Sequence, residues 1–475
     1  MIFSTYKFIF LFLPVTFSVY FFLNHFRFFS LSKIWLVICS LFFYSQGSPA
    51  FFPFFFASIT GNYLFGMAMV KTEGNSGIQK KLLFAAGLAG NIGLLGYYKY
   101  TDFFIENYNL LTGSDVALKH IVLPIGISFF TFQLIAFLVD CYRGETEQYD
   151  FISYLLFITF FPQLIVGPII HHAEIVPQFE RKENLKLNYE NIALGLFLFS
   201  LGCAKKILLA DPLTTDAQSF FNAVPANPTM LQSWFSSIEY TISYYFDLSG
   251  YADMAIGLGW LFNMHIPQNF DSPYKARNFQ DYWRRWHITL SRFLSAYIFR
   301  SVYKKEVPWR NYYVATMVTF LVSGFWHGAG WTFVVWGLIN GLLVCIASAM
   351  KRRNWKLPFL PAFLMTAAGV VIMRVLFVSS SFPDAWHVYS GMLNFRSLGS
   401  SLGEAVRSIA HFVISHRGIG LRLTVALGIC WFMPNSKTME ERFHPTALRL
   451  IASAGLMLLC LMEMNKVVQF LYFQF

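Results

Sequence analysis

Charged side chains are what this sequence has least of. Asp, Glu, Lys and Arg make up 13% of its 475 residues, about half the roughly 25% of an average soluble protein. Apolar residues fill the deficit at 56%, Phe alone numbers 55, and the mean hydropathy is +0.49. A soluble fold of this length, ordinarily about two to four domains, has no way to cover so much apolar surface, whereas a bilayer solvates it directly. Disorder, a secreted disulfide scaffold and a cytosolic enzyme are excluded. The chain reads as an all-α polytopic membrane protein.

Recognisable soluble-enzyme motifs are also missing. No H-E-x-x-H, G-x-S-x-G, P-loop or Rossmann fingerprint occurs. The six cysteines (Cys39, Cys141, Cys203, Cys345, Cys430 and Cys460) are scattered with no C-x-x-C, so neither a metal cage nor a disulfide framework is indicated and they read as packing residues. His171-His172-x-Glu174 resembles a metal half-site, but no motif completes it, and no metal is expected. Acidic residues are scarcer than basic ones, 25 against 36, for a net charge of +11. The basic residues gather at the ends of apolar runs, which indicates contact with lipid headgroups and not nucleic acid.

The apolar runs come next. The N-terminus is apolar for too long to be a signal peptide and lacks a small-residue cleavage site, so it reads as a retained first span. Further spans are expected at about 34–47, 51–70, 82–98, 120–139, 151–170, 190–209, 231–247, 249–264, 311–326, 331–350, 357–378, 418–434 and 448–472. Several fall short of the about 20 residues a straight crossing needs, so about eleven true spans with two or three re-entrant pieces are expected. Pro162, Gly167 and Pro168 mark 151–170 as re-entrant.

Loop charge sets an orientation. His25, Arg27 and Lys33, then Lys71, Lys80 and Lys81, flank the second and third spans on one side, which the positive-inside rule makes cytoplasmic. The N-terminus is therefore expected outside. Residues 265–310 carry nine Lys or Arg against three acidic residues, and Lys351, Arg352, Arg353 and Lys356 follow. Both clusters are expected in the cytoplasm, so residues 311–350 leave that side and return. Sixteen helical residues rise about 24 Å, which puts His327 at membrane depth.

Three segments offer chemistry. In LVSGFWHGAGWTFVVWGLINGL (321–342), His327 stands beside Trp326 and two glycines that permit close helix approach or a bend. An ionisable group in a membrane is costly and faces a bundle interior or a wet cavity; a purely structural hydrogen bond to a neighbouring helix is the alternative. In DSPYKARNFQDYWRRWHITLSRFL (271–294), a helix from about 280 would put Arg284, His287 and Ser291 on one face. Asp281 would pair with Arg285, and Trp283 and Trp286 would anchor the helix at the interface. This is either a basic amphipathic helix on the cytoplasmic leaflet or a lid that meets an anionic ligand through Arg284 and Arg285. In 240–270, Asp247 and Asp253 lie in an apolar helix and need partners, for which the arginines of 284–292 are nearest in sequence.

At these residues the chain resembles the membrane-bound O-acyltransferase (MBOAT) family, most closely the alginate O-acetyltransferase branch of bacterial exopolysaccharide acetylases. The resemblance runs through LPIGISFFTFQLIAFLVDCYRG (123–144), FFPQLIVGPII (160–170), YYFDLSGYADMAIGLGWLFNMHIPQNFDSPY (244–274), DYWRRWHITLSRFL (281–294) and SGFWHGAGWTFVVWGLINGL (323–342), the last three being the specific ones. It covers about 1–400 of one integral-membrane domain, 1–475, with an amphipathic segment and the last spans in 401–475. The resemblance implies about eleven helices plus re-entrant helices around a central tunnel. It implies His327 as the catalytic base, His287 as a second histidine, and Arg284, Arg285, Trp283, Trp326 and Ser291 as candidates for donor binding. Asp247 and Asp253 remain candidates for structural support.

The resemblance further implies acetyl-CoA as donor substrate with no tightly bound cofactor. A bacterial inner-membrane location, a periplasmic acetyltransferase partner and a polysaccharide acceptor such as alginate go with it. His171-His172 depart from the Arg often found after VGPI in the family. Two alternatives stay open: a D-alanyl or other acyl transferase fed by a carrier-protein thioester, and a transporter or flippase with His327 as proton relay. No inverted repeat is visible, against most transporter folds.

Overall fold

The computed structural model describes residues 1–72, 77–304 and 308–466. Among them every regular element is a helix. Five helices are long and apolar enough to cross a bilayer: Phe8–His25, Phe52–Lys71, Tyr189–Phe221, Trp331–Arg352 and Phe359–Val378. Leu402–Ser415 and Arg417–Phe432, bent by 88°, make a sixth if counted as one span. Phe29–Ser45 is apolar but shorter, at 17 residues. The outer helix faces are apolar: Phe10, Phe22, Leu64, Leu82, Leu360 and Met365 are each more than half exposed. Rows of such residues have no place on a soluble surface and suit acyl chains.

Several expected boundaries are corrected. The spans at 231–247 and 249–264 are one 32-residue helix, Met230–Leu261, about 48 Å long. Gly250 does not break it; a Cβ there would stand 2.8 Å from the Gly202 carbonyl oxygen, so the glycine serves a close crossing. The helix expected at 190–209 continues through a π turn, Lys205–Ala210, to Phe221. The 151–170 piece is a nine-residue helix, Phe151–Thr159, followed by turns; its rise of about 14 Å cannot cross a bilayer.

The chain forms two compact units. One comprises 1–200, 252–268 and 444–453. Its core is aromatic: Phe12 and Phe161 meet edge-on at 5.3 Å, with Phe8 and Phe43 against the same rings. Helices Phe52–Lys71 and Gly77–Leu95 reach Ile127–Arg143 through small residues, since Gly66 faces Phe137 and Gly87 faces Leu138. Asn62 and Asn91 exchange amide hydrogen bonds of 3.2 and 2.6 Å between the first two, the kind of polar tie that holds helices where no hydrophobic force separates protein from lipid.

The other unit comprises 201–251, 269–443 and 454–475 and contains every residue of the site below. Its frame is a hairpin of Pro308–His327 and Trp331–Arg352. Gly324 and Gly337 sit at the crossing: a Cβ on Gly324 would be 3.0 Å from the Gly337 Cα, and one on Gly337 3.1 Å from the Gly324 Cα. The two backbones therefore touch, as small-residue pairs allow. Phe359–Val378 packs beside the second arm.

Candidate functional site

His327 is the last residue of the hairpin's first arm, just before the Gly328-Ala329-Gly330 turn. It is 4% exposed and walled by aromatic rings: Trp326 at 4.9 Å, Trp336 at 5.2 Å and Phe377 at 5.3 Å between centroids. Gly328 is open to the Phe333 ring, where any side chain would collide.

The continuous helix expected from about 280 does not form. Asn278 caps Phe279–Arg285 by accepting from the Asp281 N–H at 2.8 Å, and the helix stops there. Trp286 is extended, His287 takes a left-handed backbone (φ +47°), and Ile288–Leu294 begins anew. Asn269 holds the break: its backbone carbonyl accepts from Ile288 N–H at 2.9 Å, and its Oδ1 accepts from the Thr289 N–H and hydroxyl. A left-handed non-glycine backbone is strained and persists only where its surroundings over-determine it. The His287 Nδ1 donates to Asn269 Oδ1 at 3.2 Å, which leaves Nε2 as the basic nitrogen. Burial pushes this imidazole down to about 3, so it is neutral.

Trp326 lies between the two histidines, 6.4 Å from His287. Both line a cavity of about 1030 Å³. Its rim is basic, with Lys275, Arg277, Arg284, Arg285 and Lys351, and Trp283 and Ser291 also line it. Asp281 pairs with both Arg284, at 2.6 Å, and Arg285, at 3.1 Å. The wall supplied by Pro308–His327 is one stripe, Tyr312, Thr316, Thr319, Ser323 and His327, joined by the Phe320 ring, at the 4 and 3 spacing of a single helix face. Tyr312 to His327 is about 22 Å of rise. The cavity thus brings the four hydroxyl-bearing side chains of this stripe, two buried histidines and five cationic side chains into one lining.

Sequence reasoning missed this stripe, and it missed Arg374. That guanidinium is 5% exposed and lies over Tyr244 at 4.3 Å, Phe377 at 4.9 Å and Trp286 at 5.3 Å. Its Nε has no hydrogen-bond partner among the described residues. Cation–π contact takes the place a carboxylate would hold, and Phe377 and Trp286 connect it to His327 and to the residue before His287. The one sign in the sequence was a lone Arg inside the apolar run 357–378.

The expected partner of Asp247 is corrected. Asp247 pairs with Lys206 at 2.6 Å, and Lys206 also meets Asp211 at 2.7 Å. Asp253 is buried but belongs to the other unit. Neither lines the cavity.

The model of MBOAT, the membrane-bound O-acyltransferase family, matches residues 2–381. The chain is 40% identical over 443 residues to a peptidoglycan O-acetyltransferase from Helicobacter pylori, covering 87% of this chain and 83% of that protein. It is 32% identical to a probable alginate O-acetylase from Azotobacter vinelandii, over 88% of this chain and 85% of that one. A teichoic acid D-alanyltransferase from Bacillus subtilis is 26% identical, over 56% and 68%.

Proposed function

The chain belongs to the membrane-bound O-acyltransferase family and is a multi-pass membrane O-acyltransferase; on that footing we propose that it takes acetyl from cytoplasmic acetyl-CoA and delivers it for O-acetylation of a cell-envelope polysaccharide. The observation that carries this reading is the single cavity that joins a basic rim to two histidines. Lys275, Arg277, Arg284, Arg285 and Lys351 suit the phosphates of the donor. The hydroxyl stripe suits the polar, extended arm that ends in the thioester.

His327 is the general base in this reading. It takes the proton from the acceptor hydroxyl as the oxygen attacks the thioester carbonyl, and the tetrahedral intermediate collapses with loss of the CoA thiolate, which is then protonated. A positioned base contributes about 10²–10⁴-fold. His287, held neutral with Nε2 basic, orients the donor. The protein lies in the bacterial inner membrane with its N-terminus in the periplasm, His327 lies at membrane depth, and a periplasmic acetyltransferase partner receives the acetyl group. The higher identity to a peptidoglycan O-acetyltransferase, 40% against 32%, favours peptidoglycan as the polymer; an exopolysaccharide such as alginate is the second reading.

The test follows CoA release from acetyl-CoA by purified protein in nanodiscs, with peptidoglycan fragments, alginate oligomers or a periplasmic partner as acceptor. Wild type releases CoA, and His327→Ala folds and releases none. Ser323→Leu, which fills the cavity one helical turn before His327, also silences release. Release that persists in His327→Ala removes that residue from the chemistry, and a donor requirement for a carrier-protein thioester overturns acetyl-CoA.

A further inference from the structure

A second cluster lies in the unit that does not hold the two-histidine cavity. Asp140 stands in the last turn of Ile127–Arg143, which ends at Gly144 with φ +73°. His171 and His172 follow the turns after Phe151–Thr159. His171 Nε2 is 2.8 Å, and His172 Nε2 3.0 Å, from the same Asp140 oxygen, Oδ2. One donor atom from each of the three lies within 4.8 Å of the others. We propose that these residues bind a divalent transition-metal ion, with Zn²⁺ as the ion the donors suit best.

Two imidazoles and a carboxylate form a mixed nitrogen and oxygen set typical of zinc and its first-row neighbours, with room for a further ligand. The support around the donors fits as well. Tyr149 Oη lies 2.9 Å from His172 Nδ1, where it accepts the remaining ring N–H of a metal-bound imidazole. Thr146 Oγ1, 3.5 Å from His172 Nε2, is a neighbouring oxygen. Asp140 and His172 are buried, while the His171 side chain is 35% exposed, so an ion has one side from which to enter. The bound ion would tie the end of Ile127–Arg143 to the segment after Pro168.

The same atoms also form a hydrogen-bonded set without an ion. Both imidazoles then donate to Oδ2, the Tyr149 hydroxyl donates to His172 Nδ1, and the Ala173 N–H donates to His171 Nδ1 at 3.3 Å. Metal binding opens that long last contact and turns both Nε2 lone pairs to the ion. The pairing was invisible in sequence because Asp140 precedes His171 by 31 residues and belongs to no metal motif.

Full-length protein in detergent, purified without a polyhistidine tag and stripped with chelator, is titrated with Co²⁺ alone and then Zn²⁺. Wild type binds one Co²⁺ per chain with visible d–d absorption, and Zn²⁺ displaces it and raises the unfolding temperature. His171→Asn keeps an N-terminal helix cap but loses the imidazole, and it weakens binding at least about tenfold. Tyr149→Phe weakens it by about 10- to 100-fold. No saturable Co²⁺ binding, or binding unchanged in His171→Asn, overturns the metal and leaves the hydrogen-bonded set. Neither outcome touches the acetyl-transfer reading, which rests on other residues.

Discussion

The imidazole of His327 and the ring of Phe377 meet edge to face with centroids 5.3 Å apart, and the guanidinium of Arg374, a turn earlier on the same helix, lies 4.9 Å from that phenyl ring. A buried cation thus holds the wall against which the histidine rests. Arg374 does not itself line the cavity, although Trp286, one of the rings it covers, does.

Arg374→Met should therefore lower kcat for CoA release by about ten- to a hundredfold, the loss expected when a reacting group is slightly misplaced, with KM for acetyl-CoA little changed. Arg374→Lys keeps the charge but not the planar stack and should fall between. Steady-state kinetics over a range of acetyl-CoA decides it. A raised KM with normal kcat would instead assign Arg374 to donor binding.

The hairpin crossing makes a separate prediction. Gly324→Ala and Gly337→Ala each force a methyl into the opposite backbone, and overpacking of this kind costs about 1–3 kcal/mol. Gly330→Ala meets nothing closer than 3.6 Å at an extended φ of −165°, so it should be nearly neutral. Thermal unfolding in detergent checks all three, and equal unfolding temperatures would contradict the close crossing.

Acid should destabilise the protein partly through His287. Its folded-state value is about 3 against about 6.5 in an unfolded chain, so between those values the unfolded state binds the extra proton. The contribution to stability is complete above about pH 6.5 and is lost as pH falls toward 3. Burial lowers His172 as well, with the same sign. Unfolding temperatures measured from pH 7 to pH 4 should decline less steeply in His287→Gln than in wild type, while an unchanged slope would mean that His287 stays solvated.

The membrane class and the two histidine segments were legible because composition and local runs carry them. The Asp281–Arg285 pair was legible for the same reason, being one helical turn. What was not legible depended on distant residues. Lys206 as the partner of Asp247 lies 41 positions away, and Arg374 reaches Trp286 from a separate helix. The break at His287 is made by Asn269, 18 positions earlier, so local helical spacing alone put His287 on the wrong backbone. The stripe of Tyr312, Thr316, Thr319 and Ser323 was readable at 4 and 3 spacing. Hydroxyls in such helices commonly bond the preceding turn, however, as Thr316 does to Tyr312 and Thr319 to Ala315, which disguises a functional face as a structural habit.

All six native cysteines are buried and none forms a disulfide. The protein's accessible surface is therefore silent toward thiol reagents in its natural form. One cysteine introduced at Ser48, in the uncharged turn at 47–50, or at Arg352, at the end of Trp331–Arg352, becomes a sole reporter without removal of any native cysteine. Paired with reagents that do or do not permeate the cell membrane, those two positions give the sidedness of the whole chain from intact cells.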